Sequence, residues 1–120
     1  MINWDIYNKN CPTRQVLNRI ADKWTVLVVG SLAQDTKRFS ELKKEITGIS
    51  QKMLTQTLRG MERDGLLTRK VYPTVPPKVE YTLTELGMSL ISMISDIRDW
   101  AEGNIETVSQ AQQSYDQRQQ

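Results

Sequence analysis

Lys52, Thr55, Gln56, Arg59 and Arg63 fall at i, i+3, i+4, i+7 and i+11, so on a helix they share one face. No acidic residue interrupts that stripe, because Glu62 and Asp64 lie off it. Leu54, Leu58 and Met61 form the opposite, apolar stripe. A helix of this kind buries one side and presents hydrogen-bond donors on the other. The chemistry such donors suit is recognition of duplex nucleic acid: glutamine can bond adenine at two atoms and lysine can donate to guanine. Residues near a helix start reach base edges best, which selects Gln51, Lys52, Thr55 and Gln56, with Ser50 at the start itself. Arg59 and Arg63, further along, are suited to phosphates. A merely solvated helix face is the alternative reading of the stripe.

A second basic group lowers the weight of that alternative. Arg69, Lys70 and Lys78 follow closely in sequence, and Arg38 precedes. The formal net charge is +2, yet it is unevenly spread. Residues 37–78 carry ten basic and four acidic side chains, net +6, whereas residues 79–120 carry two basic and seven acidic, net −5. A basic block beside an acidic one suits a polyanion partner on the first block.

Composition narrows the remaining chemistry. The 120 residues contain no histidine and one cysteine. That argues against Ser-His and Cys-His nucleophiles, most zinc enzymes and an intrachain disulfide. Asp96/Asp99 and Glu102/Glu106 are paired carboxylates, but they fall on the polar side of a helix and read as a solvated face. The expectation is a protein that is not an enzyme and needs no metal or cofactor. The longest aliphatic run, Val26-Leu27-Val28-Val29, is far short of a membrane span, and the first residues lack a secretory pattern, so a cytoplasmic protein without membrane contact is expected.

The elements that must hold these residues can be read from periodicity and caps. Residues 12–21 predict a short helix, with Pro12 at its first position and Cys11 at or near the N-cap. Asp22 caps a second helix over 23–32, apolar nearly all round and expected to be buried, with a strand as the competing reading. Gln34-Asp35-Thr36-Lys37 reads as a polar connection. A third helix spans 39–46 and stops at Gly48; Ser50 opens a fourth over 51–64, ended by Gly65. The short connection around Gly48 is helix-turn-helix spacing. Leu67 to Tyr72 and Lys78 to Leu83 predict two strands, joined by the proline-set loop 73–77. Thr84 caps a long final helix from Glu85, whose apolar face includes Leu86, Leu90, Met93, Ile94, Ile97, Trp100, Ala101, Ile105 and Val108. That face is longer than one small domain covers, which predicts a partner helix from a second copy through Leu90, Ile94, Ile97, Trp100 and Ala101. Wrapping its own domain is the alternative. From Gln110 the tail is predicted to fray.

The order of helix, helix, helix-turn-helix, hairpin and long helix describes a mainly α protein with a small β-hairpin wing: a winged helix with dimerisation helices at both ends. One domain is expected, with the DNA-binding core over about 22–84 and dimerisation parts over 1–21 and 85–109. Specific segments then resemble the HxlR-type family of bacterial winged-helix regulators, relatives of the MarR family. They are Cys11-Pro12, Asp22-Lys23-Trp24-Thr25, Arg38-Phe39-Ser40-Glu41-Leu42, Gly48 through Thr55, Leu58-Arg59, Asp64-Gly65-Leu66 and Pro76 through Gly87, in order, with Trp100 in the late aromatic position. Asp22 departs from the family's usual glycine before Lys-Trp. The resemblance implies a homodimeric transcriptional regulator of double-stranded DNA, most often a repressor, reading a near-palindromic operator.

It also implies a response to oxidants or electrophiles for which Cys11 is the candidate residue. A thiol at a helix N-terminus, with Lys9 and Arg14 close by, is placed for such a reaction. A buried, inert cysteine is the alternative. A small hydrophobic ligand held by Trp4, Tyr7, Trp24 and Trp100 is a further possibility, although four aromatics are more often core. A winged-helix module that binds protein competes with the DNA reading, and predicts an acidic or apolar fourth helix instead of the Lys52, Arg59, Arg63 stripe.

Overall fold

The computed structural model describes residues 5–119. The elements are α1 (Pro12–Ile20), α2 (Lys23–Leu32), β1 (Lys37–Arg38), α3 (Phe39–Glu45), α4 (Gln51–Arg63), β2 (Leu67–Tyr72), β3 (Lys78–Leu83), α5 (Glu85–Met88) and α6 (Ile91–Arg118). The three strands form one antiparallel sheet in the order β1-β3-β2. This is the predicted winged helix.

Caps explain most boundaries. Cys11 is the N-cap of α1, with Pro12 following. Asp22 Oδ1 accepts from the Trp24 and Thr25 N–H groups, which starts α2 as a helix and settles the strand alternative. Gly48 and Gly65 both sit at positive φ (86° and 77°), the left-handed geometry that ends α3 and α4 at little cost only for glycine. Ser50 Oγ accepts from the Met53 N–H at 3.0 Å and opens α4.

The core lies where α2, α3, α4 and the sheet meet. Val28, Val29, Leu42, Leu54, Leu58 and Met61 are all essentially inaccessible, with Leu67, Tyr81 and Leu83 closing it from the strands. The side of α2 that the core leaves free differs from expectation. Leu27 is 47% exposed, so α2 is not buried all round.

Three further features depart from the sequence reading. Lys37, placed in a polar connection, instead forms with Arg38 a two-residue strand paired to Tyr81 and Glu80. So short an edge strand has no periodicity to detect. The final helix is not continuous: it breaks at Ser89–Leu90 into α5 and α6. The Thr84 hydroxyl donates to the Gly65 carbonyl and accepts from the Gly87 N–H, tying α5 to the base of the hairpin. Gly87 packs so close to the Leu66 carbonyl that any Cβ would overlap it, and the Ser89 hydroxyl turns back onto the Leu86 carbonyl. The predicted fraying at Gln110 is also absent, since α6 is helical through Arg118. Ala111, Gln112 and Gln113 are good helix formers, and Arg118 complements the negative end of the dipole.

Candidate nucleic-acid interface

The α4 stripes separate as their spacing predicts. Leu54, Leu58 and Met61 are buried; Gln51, Lys52, Gln56, Arg59 and Arg63 are exposed, and Thr55 is half-buried. Thr57, unassigned by the sequence, is also buried, its hydroxyl satisfied by the Met53 carbonyl at 2.8 Å. Ser50 is occupied by its capping role, so its hydroxyl oxygen is already an acceptor within the protein.

The hairpin divides its basic residues between two faces. Pairing of Lys70 with Glu80 and Tyr72 with Lys78 puts Lys70, Tyr72, Lys78 and Glu80 on the outer face. Arg38, paired in register with Glu80 through β1, joins them. The Tyr72 ring lies between two ammonium groups, Lys70 at 4.8 Å and Lys78 at 5.0 Å. Lys78 Nζ also donates to Glu80 at 2.9 Å, and the Tyr72 hydroxyl donates to the same carboxylate at 3.1 Å. Those bonds, the one from Lys78 foremost, hold the Glu80 carboxyl below the usual range. Arg69 points the other way, toward α4, where its guanidinium lies 3.5 Å from Glu62. The wing and the fourth helix are therefore joined by an ion pair. Tyr72 and Glu80 were missed by the sequence reading, and the strand register that unites them follows only once the five-residue loop is taken as a hairpin tip.

A second polar group braces the helix-turn-helix from behind. Lys37 and the Ser31 hydroxyl both bond the Glu45 carboxylate, linking β1, α2 and α3. The Lys37 hydrogen bond, then that from Ser31, holds the Glu45 carboxyl below its ordinary value. The Arg38 N–H donates to Glu41 at 2.8 Å, fixing the start of α3 while its side chain stays exposed.

The remaining expected sites are rearranged. Leu90 and Ile94 are each 9% exposed and pack into the chain's own core, because α6 leaves the domain only after Ile94. They are not a free face for a second chain. Ile97 and Trp100 are 57% and 65% exposed, and Ala101 is exposed beside them. Cys11 is buried. The four aromatics do not form a pocket: Tyr7 and Trp100 are exposed, Trp24 packs against the core with Lys23 over its ring, and Trp4 lies outside the described residues. A cleft of about 560 Å³ opens elsewhere, between α2, the end of α3 and the start of α6, lined by Val26, Leu27, Ile46, Ile91 and Arg98 among others. Asp96, Asp99, Glu102 and Glu106 are all exposed on α6. Among the described residues no helix is long and apolar enough to cross a membrane.

Comparison with known proteins agrees with this architecture. Residues 19–109 match the family model described as HxlR-like helix-turn-helix. The HTH-type transcriptional regulator YtfH of Escherichia coli (strain K12) is 42% identical over 104 residues, covering 87% of this chain and 82% of that protein. Among solved structures, the transcriptional regulator ytfH from Salmonella typhimurium superposes with a TM-score of 0.86 at 39% identity, covering 92% of this chain and 99% of that one. The redox regulator HypR in its reduced form gives a TM-score of 0.75 at 37% identity, covering 82% and 98%. The chain thus belongs to the HxlR-like helix-turn-helix family of transcriptional regulators.

Proposed function

We propose that the protein is a homodimeric, sequence-specific regulator that binds double-stranded DNA and acts as a repressor by occupying a near-palindromic operator. The observation that carries this reading is the exposed row Gln51, Lys52, Gln56, Arg59 and Arg63 on the side of α4 opposite its buried stripe. Gln51, Lys52, Thr55 and Gln56 read base edges in the major groove, with Ser50 fixing the helix start. Arg59, Arg63 and Arg38 meet phosphates, and the wing adds Lys70 and Lys78 from its outer face and Arg69 from beside α4.

The dimer is supported by α6. After Ile94 the helix carries Ile97, Ala101, Asn104, Val108, Ala111 and Tyr115 in alternating steps of four and three, while Asp96, Asp99, Glu102 and Glu106 all fall off that line. The radius of gyration is 17.7 Å, against about 14 Å for a compact chain of this length. An arm that projects with an apolar seam needs a partner, and a second copy supplies the matching one. Ile97, Trp100 and Ala101 belong to that interface; Leu90 and Ile94 anchor the arm instead. Sedimentation of wild type and Ile97→Asp tests this: a dimer that becomes a monomer supports it, and an intact dimer in the variant refutes the interface.

Control by oxidants or electrophiles through Cys11 is part of the proposal. Its support is the N-cap position and the similarity to HypR, a protein described as a redox regulator. At 7% exposure, the thiol becomes reactive when the start of α1 opens. DNA binding that responds to diamide equally in wild type and Cys11→Ser removes this element.

A further inference from the structure

The recognition helix α4 contains a glycine, Gly60, in its interior, where glycine costs helix stability relative to alanine. The space a side chain would occupy there is taken by a residue of another helix. A Cβ there would collide with the guanidinium carbon and both terminal nitrogens of Arg19. Arg19 comes from the last turn of α1, crosses α4 over Gly60, and pairs through Nε with Asp64 Oδ2 at 2.8 Å. Asp64 is the C-cap of α4. The guanidinium therefore spans α4 from Gly60 to its end, about one turn.

Apart from the two-residue turn into α2 and its packing on that helix, little holds α1 to the body. Its nine residues include none that is buried, Val16 and Leu17 are largely exposed, and Ile20 alone packs partly on the core. Cys11 is buried just before its first turn. Gly60 and Asp64 thus give α1 a directional attachment to the reading helix.

We infer that Arg19 is a positioning residue for α4: laid over Gly60 and clasped by Asp64, it fixes the angle between the N-terminal helix and the recognition helix. This rests on the DNA-binding dimer proposed above, together with the expectation from sequence that residues 1–21 belong to its dimerisation part. A rotation of α1 in one protomer then moves α4, and the clamp sets how far apart the two reading helices of a dimer are held. Because the pair is part-exposed, with side chains 32% and 29% accessible, it adds little to folding stability. Its consequence is geometric.

Gly60→Ala isolates that consequence. It leaves every charge and every exposed α4 donor in place and raises the intrinsic propensity of α4, yet it displaces the guanidinium. Arg19→Lys keeps the charge and loses the fork. Hydrogen exchange on the free proteins comes first. The clamp predicts that α1 amides in both variants exchange at least about fivefold faster than in wild type, while the Tm falls by no more than about 2 °C in Arg19→Lys and does not fall in Gly60→Ala, whose helix propensity is raised. Unchanged α1 exchange in both overturns the clamp, whether or not any DNA is bound.

Duplexes come second, using the sequence that wild type selects, offered as single half-sites and as palindromes of varied spacing. Positioning predicts that half-site affinity is kept, while affinity for the best-spaced palindrome falls about tenfold and the spacing preference flattens. Faster α1 exchange with the wild-type spacing preference intact overturns the positioning role. A wild type that selects no sequence refutes the functional reading and the positioning role with it, and the exchange experiment still decides whether the clamp exists.

Discussion

Lys70→Ala gives the sharpest reading of the wing. Lys70 is exposed on the outer face of β2, and among the described residues no carboxylate lies within ion-pair distance of it. The register partner Glu80 is already engaged by Lys78 and the Tyr72 hydroxyl. Its charge is therefore free to neutralise a phosphate. Each phosphate neutralised steepens the dependence of log K on log salt by about 0.9, so losing Lys70 from both protomers flattens the slope by about 1.8. Between 50 and 200 mM salt, each such contact changes affinity by about 3.5-fold, so wild type loses roughly 12-fold more affinity than the variant. The fold should survive, because an exposed cation–π contact with Tyr72 at 4.8 Å is worth about 1 kcal/mol or less. The assay is fluorescence anisotropy on a selected operator and on a scrambled duplex. The slope change should be the same on both, because phosphates carry no sequence. Identical slopes for wild type and variant would refute the assignment of the outer wing face to DNA.

Other positions give separate checks. Gly87→Ala drives a methyl group into the Leu66 carbonyl, a backbone atom held by the Thr84 N–H at 3.0 Å, and should cost about 2–4 kcal/mol in urea unfolding; a loss under about 1 kcal/mol, as for a surface substitution, contradicts the close approach. Glu45, whose carboxyl is held low by Lys37 and Ser31, adds stability that is present above about pH 4.5 and lost as pH falls through its lower folded value. Glu45→Gln should flatten that part of the acid unfolding profile, and an unchanged profile argues against the Lys37–Ser31–Glu45 brace. Gln51→Ala and Lys52→Ala should lose affinity unevenly across operator variants, in contrast to Lys70→Ala, and a uniform loss would move both residues from base reading to the backbone.

The parts of the fold visible in the sequence are those fixed by local rules. Asp22, Ser50, Gly48 and Gly65 are caps and left-handed turns, and they placed α2, α3 and α4 to within a residue or two. Strands β2 and β3 were legible because β-branched residues run up to a proline-rich break. What escaped depends on contacts distant in sequence. The break before α6 arises from Gly87 against Leu66 and from Thr84 reaching Gly65. Leu90 and Ile94 share the periodicity of Ile97 and Trp100, so periodicity cannot reveal that the first pair is core and the second exposed. Likewise Gly60 reads as a weak spot in a helix until Arg19, 41 residues earlier, occupies its space. The α4 donors were legible because the face of an amphipathic helix follows from spacing alone.

Selection from a pool of randomised duplex DNA with the reduced protein decides whether α4 reads sequence. A dimer reading DNA through α4 should enrich a near-palindrome with half-sites about one helical turn apart, its half-site bases protected less when Gln51 or Lys52 is replaced. Weak, salt-sensitive binding with no enriched sequence would contradict it, reducing the basic face of α4 to electrostatics and favouring a protein partner for the wing.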